Sequence, residues 1–444
     1  MADDSCPKCG GSLLPEGVFC PHCGVSLGAR MDVDVVGDDN IAVVGGENID
    51  IHQGDVHHHG ADPQKVEEID KLMGKVMERL EALELSSPSE GQPAEVDEET
   101  QAELDSILAD ATEVEDAGHE FNPWDEIELG DAAAGAGRTN TARRYYARAL
   151  EDFKENEDQR GEALSLNSLG NIAYTRGDFD DAERLCKESL AISKEIGHRE
   201  GEARSFNHLG QIANTRGDLD EAERLLEESL NISTEIGNRR GEALSLGNLG
   251  NIASERRDLD EAERLYREVL AIFKEIGDRK SEAASLTNLG SIAQERGDLD
   301  EAERLNRESL DIDREIGNRG GEAYSFNNLG VIARGKGDLE EAERLYDDSL
   351  SISREIGHRQ LEATSLGNLG NIALTRGNLD EAEHLHRESL SISREIGYRG
   401  GEANSLHNLG VIARDRDDFA EAKRLFEQSL AIKREMGLDD EESD

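Results

Sequence analysis

A period of 40 residues, running without an insertion from residue 121, constrains this chain more than any other feature. The dipeptide Leu-Gly marks the period at residues 129–130, 169–170, 209–210, 249–250, 289–290, 329–330, 369–370 and 409–410. A single alanine keeps the same spacing at Ala142, Ala182, Ala222, Ala262, Ala302, Ala342, Ala382 and Ala422. A fixed period of this length is typical of solenoids, in which each unit packs on its neighbours. The markers define eight units, of which the first is degenerate.

Each unit predicts two antiparallel helices, as residues 201–240 illustrate. The residues of the two predicted buried faces recur at helical spacing, at Ala203, Phe206, Leu209, Ile212 and Ala213 and then at Ala222, Leu225, Ser229, Leu230, Ile232 and Ile236. Asp218 and Glu221 have the spacing of a capping box at the start of the second helix. Gly237 is placed to end that helix. Gly210 has no side chain, which lets the paired helices approach closely.

The repeat resembles the tetratricopeptide repeat over about 320 of the 444 residues. The family's signature is present as Leu166-x₂-Leu169-Gly170-x₂-Ala173, followed by Ala182. Leu or Phe replaces the family's Trp, Ala replaces its Tyr, and its proline is absent, so the second helix can extend. This longer form is similar to the arrays of Pins-type adaptors and kinesin light chains. The resemblance implies an all-α, right-handed solenoid of about eight helical hairpins that binds peptides or partner helices in a groove.

Two Cys-x-x-Cys pairs near the start of the chain predict a zinc site. Cys6, Cys9, Cys20 and Cys23 supply four thiolates on two tight turns, each followed by glycine, and this arrangement suits one tetrahedral Zn²⁺. Residues 1–27 resemble the short zinc ribbons found at the start of many prokaryotic proteins. A segment this short has too little core to fold without metal. We therefore expect one structural Zn²⁺ here.

The segments between the predicted zinc ribbon and the repeats differ in their sequence patterns. Residues 32–60 show short β-branched runs broken by turn residues, which predicts a small β-repeat segment. Residues 63–85 carry a heptad seam, which predicts a coiled-coil helix and favours a homo-oligomer, although a helix packed on its own chain is the alternative. A polar linker at 86–98 and a helix at 99–120 follow. A degenerate first repeat covers 121–160, seven repeats cover 161–437, and an acidic tail covers 438–444.

The charge is extreme, since 99 acidic residues stand against 49 basic ones and leave a net charge of −50. The acidic residues run through every repeat rather than gathering in one patch. This favours the acidic coat of a halophilic, cytoplasmic protein over a surface made for one basic partner. The charge argues against direct contact with nucleic acid or an anionic membrane. We expect no secretory signal and no membrane-spanning segment.

Charged residues that recur in every copy indicate packing between repeats rather than one specific ligand. They form four series, which begin at Glu162, Arg184, Glu195 and Arg199 and continue at intervals of 40 residues. His384 is the exception in the arginine series that begins at Arg184. We interpret all four series as ion pairs and caps between repeats.

The first helices carry the residues that the resemblance places in the groove. The candidate partner-binding residues are Asn167, Asn171, Asn207, Asn248, Asn251, Asn288, Asn327, Asn328, Arg334, Asn368, Asn371, Asn408 and Arg414. Amides can bond both the C=O and the N–H of an extended peptide. The alternative is that these amides solvate a polar face or bond neighbouring turns.

No catalytic motif is recognisable in the chain. Cys186 lies beside Leu185 on a second helix, and we interpret it as a small buried residue because no histidine is placed to activate it. The chain is therefore predicted to be a protein–protein interaction scaffold rather than an enzyme, with a peptide or protein as its partner. The alternative function is a zinc-ribbon regulator of transcription or translation that acts on nucleic acid or polymerase.

Overall fold

The computed structural model describes residues 71–77, 79, 98–116 and 121–436. The chain divides into two compact units, one formed by residues 1–82 and 109–120 and the other by residues 83–108 and 121–444. The predicted zinc ribbon, β-repeat segment and acidic tail lie outside the described residues. Within the described ranges all regular structure is helical. None of the described helices is long and apolar enough to span a membrane.

The described part of the first unit is helical over residues 71–77, inside the predicted coiled-coil helix. Val76 is fully buried there, and Arg79 donates a hydrogen bond to Asp110 at 2.5 Å. Helix α1 (Glu98–Asp116) occupies the position of the helix predicted at 99–120. Its N-terminal part belongs to the second unit, where Asp105 accepts a hydrogen bond from Arg138 at 2.7 Å.

Residues 121–436 form sixteen further helices that alternate as first and second helices of eight hairpins. The first helices are α2 (Pro123–Gly135), α4 (Gln159–Thr175), α6 (Arg199–Thr215), α8 (Arg239–Glu255), α10 (Arg279–Glu295), α12 (Arg319–Gly335), α14 (Arg359–Thr375) and α16 (Arg399–Asp415). The second helices are α3 (Thr139–Glu155), α5 (Phe179–Ile196), α7 (Leu219–Glu235), α9 (Leu259–Ile276), α11 (Leu299–Glu315), α13 (Leu339–Glu355), α15 (Leu379–Glu395) and α17 (Phe419–Glu435).

Local sequence signals account for the hairpin turns. The Asp218 carboxylate accepts a hydrogen bond from the backbone N–H of Glu221 at 3.3 Å, which caps α7. Gly237 follows that helix with φ +70°, as predicted. A Cβ on Gly210 would lie 2.7 Å from Leu226 Cγ, so α6 and α7 approach too closely there for any side chain.

The core runs continuously from repeat to repeat. One apolar cluster includes Leu246, Leu286 and Ile332, which lie on the first helices of three successive repeats. Most of the predicted buried face is confirmed, but Ile236 is 39% exposed. Ile236 is the residue that follows the last residue of α7, Glu235, and the prediction that it is buried is wrong.

Candidate functional site

The first helices form the closely spaced side of the stack. First helices of neighbouring repeats contact one another, as in the pairs α4–α6, α6–α8 and α14–α16. No pair of second helices within residues 121–436 makes a comparable contact. The exposed side of α2, α4, α6, α8, α10, α12, α14 and α16 is called the first-helix face below. Residues from neighbouring repeats meet on this face, so a single ligand could contact several repeats at once.

A cleft of about 210 Å³ opens on the first-helix face across the first four repeats. Helices α2, α4, α6 and α8 supply most of its wall. Its polar lining residues are Asp131, Tyr146, Asn167, Ser168, Asn171, Glu200, Arg204, Asn207, His208, Ser229, Ser233, Asn238 and Arg240. Hydrogen-bond donors, acceptors and both signs of charge are therefore present within one cleft.

Charges in the cleft are largely balanced by their neighbours. Tyr146 Oη donates a hydrogen bond to Asp131 at 2.6 Å. Burial, followed by the negative charge of Asp131, raises the pKa of Tyr146 well above its usual value, so the phenol stays protonated. Arg204 lies 3.5 Å from Glu200, and Arg240 lies 3.1 Å from Asp278. This mixture favours a polar, extended ligand over a highly charged one.

Two predicted site residues, Asn167 and Asn207, line the cleft but are almost fully buried, at 1% and 3% exposed. Asn167 Nδ2 donates to Ser205 Oγ at 2.9 Å, which joins one repeat to the next. Asn207 Oδ1 accepts from Gln211 at 2.8 Å and from Asn248 at 3.0 Å. Asn167 Oδ1 is itself buried and has no hydrogen-bond partner in the described residues.

Several predicted site residues bond one another across repeats. Asn368 Nδ2 donates to Asn327 Oδ1 at 2.9 Å, and Asn408 Nδ2 donates to Asn371 Oδ1 at 3.0 Å. The Asn368–Asn327 bond repeats the geometry of Asn248 with Asn207, whereas Asn408 reaches a different position, Asn371, of the preceding first helix. The amides thus connect neighbouring first helices.

The remaining predicted site residues are more accessible. Asn171 and Asn328 are half-buried, whereas Asn251, Asn288, Arg334 and Arg414 are exposed. Asn251 Oδ1 accepts a hydrogen bond from Tyr266 Oη at 2.6 Å. Asn171 lines the cleft, but Asn251 and Asn288 lie farther along the array and do not.

Cys186 has a histidine neighbour that the sequence did not reveal. Its Sγ lies 3.9 Å from His208 Nδ1, on the first helix of the next repeat. The prediction that no histidine is placed to activate Cys186 overlooked His208, because 22 residues of chain and a repeat boundary separate the two in the sequence. Cys186 is nevertheless fully buried, and its Sγ would lie 2.7 Å from a Cβ on Gly170. Its role as a small packing residue stands.

Three of the four recurrent charge series lie within helices or hairpins rather than between repeats, contrary to the prediction. Arg184 bonds Asp181 and Glu188, three and four residues away on its own helix. Arg199, at the start of α6, contacts Glu235, at the end of α7, at 2.5 Å and so closes a single hairpin. The Glu162 series behaves as predicted in part, because Lys154 of the preceding repeat approaches Glu162 at 3.9 Å.

A different arginine series makes the ion pairs between repeats. Arg216, just after α6, contacts Asp180 and Glu183 of the preceding second helix, both at 2.5 Å. The same pairing recurs at Arg256, Arg296, Lys336 and Arg416, and Arg376 makes one of the two contacts, to Glu343. The 40-residue recurrence of a basic residue after each first helix was the signal that could have identified this series.

Buried serines form a second connection between repeats that the sequence analysis missed. Ser229 donates to the Ala203 carbonyl at 2.8 Å, and Ser245 of the next repeat donates to Ser229 at 2.9 Å. Equivalent bonds occur at Ser189, Ser349 and Ser389. Val269 replaces the serine in the fourth repeat, which interrupts the series there. Polar contacts thus contribute to stacking as well as apolar ones.

The sequence profile of the tetratricopeptide repeat family matches residues 123–195, 159–235, 201–275, 241–315, 281–355, 321–395 and 361–435. These matches overlap and together cover well over half of the chain. The chain belongs to the tetratricopeptide repeat (TPR) family. Among curated proteins none matches it.

Solved structures share the TPR fold at low sequence identity. A Rap protein complexed with competence and sporulation factor has a TM-score of 0.55 at 13% identity, covering 84% of this chain and 99% of that one. The apo quorum sensor NprR from B. thuringiensis has a TM-score of 0.53 at 14% identity, and the match covers 82% of this chain and 99% of that one. A STAND signal-transduction ATPase with a TPR sensor from Pyrococcus horikoshii has a TM-score of 0.55 at 16% identity, and the match covers 78% of this chain and 54% of that one.

These similarities establish the architecture of the TPR array. A TPR array presents interaction surfaces, and the first-helix face with its cleft is one surface of this chain that combines several repeats with polar, partly accessible side chains. Within the described residues no group of three or more His, Cys, Asp or Glu side chains is placed to hold a metal ion.

Proposed function

We propose that this chain is a protein–protein interaction scaffold that holds an extended peptide segment of a partner on the first-helix face. The cleft across the first four repeats carries the proposal, because it offers several hydrogen-bonding side chains along successive helices. The Rap protein cited above is described in complex with competence and sporulation factor, which supports a binding role for a TPR array.

An extended peptide suits the chemistry of this cleft. A peptide backbone presents alternating N–H and C=O groups, and amide and hydroxyl side chains can bond both. Ser168 and Asn171 lie on the same helix and line the same cleft. Each well-formed hydrogen bond contributes about 0.5–1.5 kcal/mol, so several repeats together provide useful affinity while the variable neighbours set specificity.

Photo-crosslinking in the native cell tests this proposal. A photoreactive phenylalanine analogue at Ser168 should give discrete covalent adducts with a partner, and mass spectrometry of the adducts should identify a short segment of it. The matched control places the same analogue at Glu227, an exposed residue on a second helix. Equal adduct patterns from the two positions, or none from Ser168, would refute binding at the first-helix face.

We also propose that Cys6, Cys9, Cys20 and Cys23 bind one structural Zn²⁺. The support is the spacing of the four cysteines. The purified chain should contain about one zinc per chain, and Cys6→Ser with Cys20→Ser should remove it. The double variant should keep the helical circular dichroism of the repeats, because they share no ligand with the ribbon. Zinc retained by the double variant would exclude this site.

Self-association through residues 63–85 is a further part of the proposal. The heptad seam of that segment supports it, and assembly would increase avidity for a multivalent partner. Sedimentation of the full chain should show an oligomer, and Leu80→Asp should convert it to a monomer. A monomeric wild-type chain would refute this part and leave the binding proposal intact.

A further inference from the structure

A groove of about 460 Å³ lies between the last two second helices, α15 and α17. Leu390 and Leu425 of these helices line it, together with Leu409 of the first helix between them. Exposed arginine side chains of both second helices line it as well. An equivalent groove of about 310 Å³ lies between α9 and α11. Such a groove combines apolar and charged side chains of two neighbouring repeats.

Ion pairs cross two of the equivalent grooves elsewhere in the array. Lys274 on α9 lies 3.6 Å from Glu308 on α11, and Arg354 on α13 lies 2.6 Å from Glu388 on α15. Glu308 and Glu388 occupy the same position of their repeats. That position is acidic in every second helix from α5 to α15, at Glu188, Glu228, Glu268, Glu308, Asp348 and Glu388. A carboxylate at this position is therefore a regular feature of the grooves.

Gln428 takes this position in α17, so the last groove has no carboxylate there. Among the described residues Arg394 on α15 bonds one carboxylate, that of Glu402 at 2.9 Å. Its equivalent Arg354 bonds two carboxylates, one of them across the groove. The glutamine thus leaves Arg394 without a charged partner on the facing helix.

A second arginine that lines the last groove loses a partner for the same reason. Arg304 on α11 bonds the carboxylates three residues before it and four residues after it. The equivalent Arg424 on α17 bonds only the earlier one, Glu421, within the described part of the chain, because Gln428 stands four residues after it. Arg394 and Arg424 therefore line a groove in which one carboxylate is missing.

The acidic tail that follows α17 has the composition and the length to supply this carboxylate. Its sequence is Leu438-Asp-Asp-Glu-Glu-Ser-Asp444, in which five of seven residues are acidic, and two residues separate it from the end of α17. Gln428 lies eight residues before Met436, or about 12 Å along the helix. Four extended residues span about 13 Å, so Asp440 is within reach of this position.

We propose that the acidic tail folds back into the groove between α15 and α17 and places a carboxylate between Arg394 and Arg424. The tail there takes the role that an acidic residue of the second helix has in the other grooves. It ties the last second helix of the array to the preceding one. The groove shares no lining residue with the cleft on the first-helix face, so this inference does not depend on the proposed function.

The covalent connection to α17 selects the tail of the same chain over other acidic segments. One exposed ion pair strengthens an association by about fivefold or less, which is too little to hold a separate molecule at micromolar concentration. A segment joined to the groove by a short connection has an effective concentration on the order of millimolar. A second copy of the chain offers the same tail only at its concentration in solution. The tail of the same chain is therefore the favoured occupant.

Photo-crosslinking of the purified full chain tests where the tail lies. A photoreactive phenylalanine analogue at Leu438 should form a covalent link to α15, at or near Leu390 and Arg394. The control places the analogue at Glu427 of α17, which is exposed and equivalent to the groove residue Arg387 of α15, so it faces away from α15 and should give no such link. A mixture of unlabelled and ¹⁵N-labelled chains distinguishes links within one chain from links between two.

Amide hydrogen exchange measures what the charges of the tail contribute. Replacing the four acidic residues 439–442 with their amides should speed exchange in α17 by up to about fivefold. In Gln428→Glu, which restores the acidic residue of the other repeats, the same neutral tail should change exchange very little. The matched control is Glu388→Gln, which removes the carboxylate from the preceding groove, and there the neutral tail should keep its full effect.

Three results would overturn the proposal. Links from position 438 that reach only residues outside the groove would place the tail elsewhere. Links found only between differently labelled chains would make a second copy of the chain the occupant. A neutral tail that leaves exchange in α17 unchanged, or that has the same effect in wild type and in Gln428→Glu, would show that the tail carboxylates do not act at this position.

Discussion

At the scale of single residues, the array combines an invariant glycine with a variable partner. The glycine of each Leu-Gly pair faces one residue of the second helix, and that residue is Tyr266 in one repeat, Asn306 in the next and His386 in another. Because the glycine leaves a fixed space, differently shaped side chains are accommodated against the same backbone. The glycine is therefore a packing requirement, while its partner is free to change.

We predict that Gly330→Ala destabilises the array by about 1–3 kcal/mol, because overpacking forces neighbouring groups to move. The added Cβ would lie 2.6 Å from Tyr346 Cε1, inside van der Waals contact. Chemical denaturation monitored by circular dichroism measures the change. Gly247→Ala is the control, because its nearest neighbour would be Val269 Cγ2 at 4.0 Å. The control should stabilise the helix by up to about 1 kcal/mol, and equal effects of the two substitutions would contradict this account.

We predict that one buried histidine, His386, makes the folded chain less stable as the pH is lowered. Burial of His386 lowers its pKa to about 4, from 6.5 in the unfolded chain. Between these values the unfolded chain binds a proton that the folded chain does not, so stability decreases as pH falls from about 6.5 to about 4 and levels off below. The shift corresponds to at most about 3 kcal/mol.

The measurement is the free energy of unfolding at pH 7 and at pH 4.5 for wild type and His386→Phe. Phenylalanine occupies the equivalent position in the last repeat, at Phe426, so the substitution is compatible with the fold. Carboxylates titrate in both wild type and His386→Phe. The difference between the two proteins in the free energy lost at low pH therefore gives the contribution of His386. The variant should lose less stability at the lower pH, and a loss equal to that of wild type would rule out this contribution.

At the scale of helices and turns, each connection from a first helix to its second helix contains one residue in the left-handed backbone conformation. Glycine fills this position with φ between +70° and +83° at Gly137, Gly177, Gly217, Gly297, Gly337 and Gly377. Arg257 and Asp417 occupy the same position with φ 59° and 63°. A residue with a Cβ is strained in this conformation. These two turns are thus less favourable than the others.

We predict that Arg257→Gly stabilises the array by about 1 kcal/mol, because it relieves the strain of a left-handed non-glycine residue. Thermal unfolding compared with wild type measures the gain. The reverse change, Gly217→Arg, should lower stability by a similar amount, since the turn is otherwise equivalent. A loss of stability in Arg257→Gly would indicate that contacts of the arginine side chain outweigh its backbone strain.

At the scale of the whole molecule, the repeats are held together by exposed ion pairs and buried hydrogen bonds as well as by apolar contact. Exposed pairs such as Arg256 with Glu223 are individually worth about 1 kcal/mol or less. The bonds between neighbouring repeats recur at most boundaries, so stability should grow approximately in proportion to the number of repeats. Repulsion among the excess acidic side chains acts along the entire array and lowers the stability that these bonds provide.

We predict that salt stabilises this chain overall. The 50 acidic charges in excess of the basic ones repel one another, and salt screens this repulsion. The midpoint of thermal unfolding should rise by several degrees between about 0.15 M and about 1 M KCl, where the screening length falls from roughly 8 Å to 3 Å. NaCl should act in the same way if screening is the cause. A midpoint that falls with salt would show that the exposed ion pairs dominate instead.

The period, the helical hairpins and the turns could be predicted from the sequence because they depend on residues close together in the chain. The left-handed Gly237, the cap at Asp218 and the close approach at Gly210 are all interactions within one hairpin. Repetition strengthened each of these predictions, since the same pattern recurs in seven further units. The zinc site and the oligomer, on residues outside this pattern, stay predictions.

Only the tertiary structure decided which polar groups meet. Arg216, rather than Arg199, joins neighbouring repeats, and Asn167 and Asn207 are buried although the equivalent Asn327 is only half-buried. Cys186 has His208 as a neighbour for the same reason. A helix can be rotated and shifted against its neighbour with little change in its own hydrogen bonds, so local sequence determines the helix while side-chain packing across repeats determines the register and the exposed surface.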